Sequence, residues 1–117
     1  PFNKNKIKFI IEELIKNHNI DAIFAVNELF AVTAIKSAKK QGINVPENLA
    51  VIGFTDGIIS KYSSPSITTV GQNGIKMGNN AAQMLIDRLE TKLEEEEHYK
   101  TEVIETHLVI RESTPTL

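Results

Sequence analysis

The sequence predicts an α/β fold of Rossmann-like outline, and three observations carry that expectation. Short apolar runs alternate with longer segments of helical periodicity, the loops between them are brief, and the helices are bounded by capping or turn residues. The run Ala22 to Val26 is too short for a helix and is bounded by polar residues, the pattern of a parallel strand covered on both faces. Leu49 to Phe54 reads as a second buried strand and Ile67 to Val70 as a third, short one. Strands joined through helices in this way predict a sheet with right-handed crossovers.

The elements follow in order. Ile7, Ile10, Ile11, Leu14 and Ile15 fall at helical spacing among Lys6, Lys8, Glu12, Glu13 and Lys16, which describes an amphipathic helix ended by Asn17-His18-Asn19. After the first strand, Asn27 can cap a helix from about Glu28 to Gln41, closed by Gly42 where left-handed backbone is needed. Asn44 to Asn48 is the return loop, and Thr55-Asp56-Gly57 is a turn after the second strand. Gly71 to Gly74 breaks the third strand, and another amphipathic helix follows with Ile75, Ala82, Leu85, Ile86, Leu89 and Leu93 on one stripe. Its end is the acidic run Glu94 to Glu97. Val103 to Ile110 alternates, with Ile104, Leu108 and Ile110 on one face, and a polar tail holding Pro115 closes the chain. There is no internal repeat. Three or four strands with three helices cannot cover both faces of a sheet whose strands read as doubly buried, so we expect a packing partner outside the sequence.

Composition narrows the function. With 117 residues, 41% hydrophobic and 24% charged, the chain belongs with soluble globular proteins. Its formal net charge of −2 is spread over mixed signs without the basic stripe that phosphate neutralisation requires, so we expect no grip on nucleic acid by this chain itself. The absence of cysteine excludes disulfides, thiolate metal sites and cysteine nucleophiles, and fits the cytoplasm. No apolar run approaches the ~20 residues of a membrane helix. The chain starts at Pro1 without an initiator methionine, and we expect it to be a piece of a longer protein.

Ligands of open α/β sheets bind beyond the carboxyl ends of the strands, where loops diverge and helix N-termini present N–H donors. Three loops qualify, at Asn27-Glu28, Thr55-Asp56-Gly57 and Gln72-Asn73, and their side chains suit neutral polar ligands such as sugars or nucleosides. Asn27 reads equally as a helix cap, Asp56 as a turn residue, and Gln72 with Asn73 as a hinge and cap. Catalysis finds little support. His18, His98 and His107 have no spacing that gathers a metal or pairs a base with a nucleophile, and no phosphate loop follows a strand. Neither a metal nor a cofactor is expected; the Glu94 to Glu97 run reads as a solvated helix end. The helix from Glu28 is apolar almost all round over Leu29, Phe30, Ala31, Val32, Ala34, Ile35 and Ala38, more than one sheet face covers, so a second surface must bury it.

Four segments resemble LacI/GalR transcription regulators. Asp21 to Glu28 (DAIFAVNE) resembles their D-A-[IV]-[FV]-[AC]-x-N-[DE], and Gly42 to Phe54 (GINVPENLAVIGF) their G-[IL]-x-V-P-[EQ]-D-[IVL]-[SA]-V-[IV]-G-[FY]. Pro65 to Val70 (PSITTV) resembles P-x-L-T-T-[IV], and Leu108 to Thr114 (LVIREST) the closing L-[IV]-x-R-x-S-[TC]. Four in order, at the family's spacing and over nearly the whole chain, make the likeness specific.

The resemblance implies part of a type I periplasmic-binding-protein-like domain, in which two subdomains close on a small effector while a separate N-terminal helix-turn-helix, absent from this chain, binds an operator. Residues 1–70 would belong to the C-terminal effector-binding subdomain, 71–100 to a crossover and a helix packing in the N-terminal subdomain, and 101–117 to a returning strand and tail. It places Asn27 and Gln72 at the effector. The aspartate that commonly follows G-[FY] is Thr55 here, with Asp56 at the next position. It also implies a homodimer through Leu29, Val32, Ile35 and Tyr62, and a sugar-like or nucleoside-like effector. A periplasmic sugar-binding protein of an uptake system is the alternative sharing this fold; the dimer-like helix and the R-E-S-T ending favour the regulator.

Overall fold

Four strands pair into one sheet in the order β1-β2-β3-β4, three parallel and the last reversed. The computed structural model describes residues 4–90 and 100–115. The chain divides into one unit of residues 1–71 with 107–117 and another of residues 72–106. The first unit holds α1 (Lys4–Asn17), β1 (Ala22–Phe24), α2 (Glu28–Lys40), β2 (Ala50–Phe54), α3 (Ile58–Tyr62), β3 (Thr68–Gly71) and, after the second unit's α4 (Gly74–Glu90), β4 (His107–Val109). Ala22 stands opposite Ala50, Ile52 opposite Thr68, and Gly71 opposite His107.

Alanines decide how α2 meets the sheet. Ala31, Ala34 and Ala38 are fully buried, and with Leu49, Val51 and Ile67 they form the centre of the core. A Cβ on Gly53 would sit 3.3 Å from Ile67 Cγ2 and 3.5 Å from Ala31 Cβ, so a bare backbone on β2 allows this close approach. α1 packs on α2 through Ile11 and Ile15, one helical turn apart. Ile10 and Leu14, expected on the same buried face, remain 44% and 40% exposed, because the stripe is wider than the contact. Gly42 takes φ +72, the left-handed turn that its place after α2 requires.

The expectation of strands covered on both faces is corrected. Burial alternates along β2, with Val51 and Gly53 buried and their neighbours half-buried. The pairing register sets Phe24, Ile52, Phe54, Val70 and Leu108 on the opposite face from Val51, and there Phe24 is 60% and Leu108 56% exposed. Phe24 and Phe54 meet edge to face at 6.3 Å on that side. β1 is also shorter than expected, ending at Phe24, because it is an edge strand whose pairing stops where Asn27 turns the chain into α2.

Two local features differ from the sequence reading. The turn after β2 continues into α3, a short helix without periodicity to announce it. The alternating run from Val103 pairs only over His107–Val109, opposite Thr69 to Gly71 of β3. The polar tail, in turn, is a structural part of the sheet. Ser113 is fully buried; its N–H donates to Ser66 O at 2.9 Å, its carbonyl accepts from Val51 N–H at 2.8 Å, and its Oγ accepts from Thr68 N–H at 2.9 Å while donating to Val51 O. Backbone donors and acceptors at the start of β2 and β3 are satisfied by this one residue.

In the second unit, Asn73 takes φ +53 ahead of α4 and its Nδ2 donates to Glu105 O at 2.8 Å. None of the described residues of α4 is buried, and Ile75, Leu85 and Leu89 on its apolar stripe are 85%, 59% and 76% exposed. Leu93, the Glu94 to Glu97 run and His98 lie outside the described residues. Among the described residues no helix is long and apolar enough to cross a membrane.

Candidate ligand-binding site

β1 and β2 run parallel, so their carboxyl ends deliver Asn27 and Thr55 to the same edge of the sheet. Asn27 has extended backbone, and its Oδ1 accepts from Phe30 N–H at 3.0 Å. The cap reading is therefore met, and the side chain still holds Nδ2, which has no hydrogen-bond partner among the described residues. Thr55 takes φ +79, a conformation that a β-branched side chain rarely adopts. Its N–H donates to Val70 O at 3.0 Å and its carbonyl accepts from Thr69 Oγ1 at 3.1 Å, bonds to β3 that hold this strained residue in place.

Asp56 is occupied otherwise. Its carboxylate pairs with the Arg111 guanidinium, whose other arm donates to Ile67 O at 2.8 Å, and the two side chains are only 23% and 15% exposed. Arg111 is a partner that pattern reading passed over: 55 residues separate the pair, and only the docking of the tail brings them together. Glu28, expected only as part of the Asn27-Glu28 loop, turns out to bond α3. Its Oε1 accepts from Gly57 N–H at 2.7 Å and Ser60 N–H at 3.0 Å. Gln72 opens the second unit and is half-buried.

Asn27, Glu28, Leu29, Phe30, Thr33, Thr55 and Ile59 line a cavity of about 530 Å³, with Ile7 of α1 at its side. An apolar lining with a few polar groups suits a small polar ligand with a carbon framework. A neighbouring groove of about 490 Å³ is lined by Val32, Ile35, Lys36, Ile58, Ile59, Tyr62, Ser63 and Ser64. Three of the four residues expected at a subunit contact meet the groove or its rim differently. Tyr62 is 83% exposed and Val32 half-buried, whereas Ile35 is 6% exposed and belongs to the core, so it reaches the groove only as floor. Leu29, 50% exposed, lines the cavity instead. Among the described residues no three His, Asp or Glu side chains gather as metal ligands.

Comparison with known proteins matches this architecture. The periplasmic binding protein-like domain family covers residues 3–114. The HTH-type transcriptional regulator CelR of Thermobifida fusca is 35% identical over 95 residues, 81% of this chain and 27% of its own length. The structure of a transcriptional regulator CelR–cellobiose complex superposes with a TM-score of 0.82 at 32% identity, over 96% of this chain and 34% of that one. A LacI family transcriptional regulator from Enterococcus faecium with bound ribose superposes at 0.80 and 25% identity, over 97% of this chain and 41% of that one. The chain belongs to the LacI-type periplasmic-binding-protein-like family.

As a LacI-type chain it spans 27% to 29% of the length of curated relatives it matches. These relatives carry the names of transcriptional regulators, not of enzymes or uptake proteins. One departure from the LacI-type pattern falls at the strand-end cavity: Thr55 is a neutral side chain where the resemblance leads one to expect aspartate.

Proposed function

We propose that this chain is the effector-sensing and dimerisation portion of a cytoplasmic LacI-type transcription regulator, reaching operator DNA only through a helix-turn-helix outside these residues. The observation that carries the reading is the convergence of Asn27 and Thr55 on one cavity at the strand ends. In this proposal the effector is a small polyhydroxylated or nucleoside-like molecule. Asn27 Nδ2 donates to it, and Thr55 contributes a neutral hydrogen bond. Asp56 serves the site from behind: its charge is taken by Arg111, and together they brace the loop that carries Thr55. The cellobiose and ribose named with the two related structures support a sugar-like ligand. A second copy of the chain would cover the groove beside Tyr62, with Val32 and Leu29 at its margin and Ile35 beneath.

The test separates Asn27 as cap from Asn27 as ligand contact. Serine caps a helix about as well as asparagine but has no amide donor. With cellobiose, ribose and adenosine as calorimetric probes, Asn27→Ser in a protein bearing both cleft walls should cost about 1–3 kcal/mol of binding, with Tm unchanged. Undiminished affinity in this variant would reduce Asn27 to a cap and remove the proposed site.

A further inference from the structure

α3 has five residues and brings no cap of its own. Its N-cap is Gly57, which has no side chain to accept from the first N–H groups, and a helix this short leaves most of its backbone donors unpaired. The acceptor comes from Glu28, 29 residues earlier in the chain, whose Oε1 takes both Gly57 N–H and Ser60 N–H. Hydrogen bonds to a carboxylate are the strong kind, and the negative charge lies at the positive end of the helix. Gly57 makes room for it: a Cβ there would lie 2.5 Å to 2.9 Å from the Glu28 carboxylate atoms.

The rest of α3 is tied at its other end, where Ser60 O accepts from Ile67 N–H at 2.8 Å and Ser63 N–H donates to Ile59 O at 3.0 Å. Its outer face supplies Ile58, Ile59 and Tyr62 to the groove, while Ile59 and Glu28 both line the strand-end cavity. One side chain in the cavity wall therefore holds the element that shapes the neighbouring surface.

We propose that Glu28 is a positioning residue of the subunit surface, acting from the wall of the effector cavity: its carboxylate holds α3 in the conformation that forms the groove. The proposal rests on the reading above that the groove takes a second copy of the chain.

The experiment combines residue-resolved amide exchange with sedimentation on the full chain, in wild type, Glu28→Ala, Glu28→Gln and Tyr62→Asp. Glutamine keeps a carbonyl acceptor of the same length and guards against an alanine variant that fails to fold. Exchange of the Gly57 and Ser60 amides should rise about tenfold or more in Glu28→Ala while Val51 and Phe30 keep their protection, and Glu28→Gln should restore most of it. Self-association should weaken by about tenfold in Glu28→Ala and recover in Glu28→Gln. Unchanged exchange at Gly57 and Ser60, or an equal rise at Val51, overturns the proposal. So does unaltered association of Glu28→Ala where Tyr62→Asp dissociates. Association that survives Tyr62→Asp removes the groove reading instead, and the exchange data then decide by themselves whether Glu28 holds α3.

Discussion

At the residue scale, Thr55 is held against its own preference. A β-branched side chain at φ +79 crowds its backbone, and conformations of this kind cost on the order of 1–3 kcal/mol. Glycine adopts them freely but is more flexible when unfolded, which offsets part of the gain. Thr55→Gly should therefore raise stability by about 1 kcal/mol in chemical denaturation, and at the same time weaken binding of a sugar probe through loss of the hydroxyl. A variant no more stable than wild type would show that contacts of the Thr55 side chain outweigh its strain. Asn27 illustrates a different limit. The cap was legible from its place before an apolar helix, but the spare amide donor became apparent only once Oδ1 was seen to be committed to Phe30.

At the scale of elements, the closing segment does more than its polarity suggests. Glu112 accepts from Ser66 N–H at 2.7 Å and Ser66 Oγ at 2.9 Å, and these bonds, the backbone one first, hold its carboxyl below the ordinary carboxylate value of 4.5. A depressed folded value means stability that is present above the unfolded pKa and lost as pH falls through the folded one. Wild type should accordingly melt above Glu112→Gln at neutral pH, and the gap should close as pH drops below about 4. A gap constant across that range would assign the bonds no ionic character. β2 was legible because its run of apolar residues is unbroken and bounded by polar loops, although only its Val51 and Gly53 face is buried. α3 was not, since five residues have no period to read and its cap lies in another element.

For the whole molecule, 13 basic against 15 acidic residues leave a formal charge of −2. Affinity for DNA without sequence preference comes from phosphate neutralisation, and preference from side chains presented to a groove. The chain should give no sequence-selective retardation of duplex DNA at any salt concentration; selective, salt-dependent retardation would place a DNA-reading surface within these residues. The open sheet face at Phe24 and Leu108 and the uncovered stripe of α4 agree with a chain spanning little more than a quarter of its curated relatives.

What the sequence determined by itself was the alternation of strands and helices, the capping of α2 at Asn27 and the left-handed turn at Gly42, because each depends on neighbours within a few positions. Its four ordered motifs were enough to indicate the family. Tertiary structure alone decided that Arg111 neutralises Asp56, that Glu28 caps α3, that Ser113 closes the sheet, and that Ile35 lies in the core while Tyr62 stands outside. These facts join residues 29 to 62 positions apart, or choose one side of a helix that is apolar nearly all round. Local periodicity carries no record of such distances; only the packed chain brings the partners together.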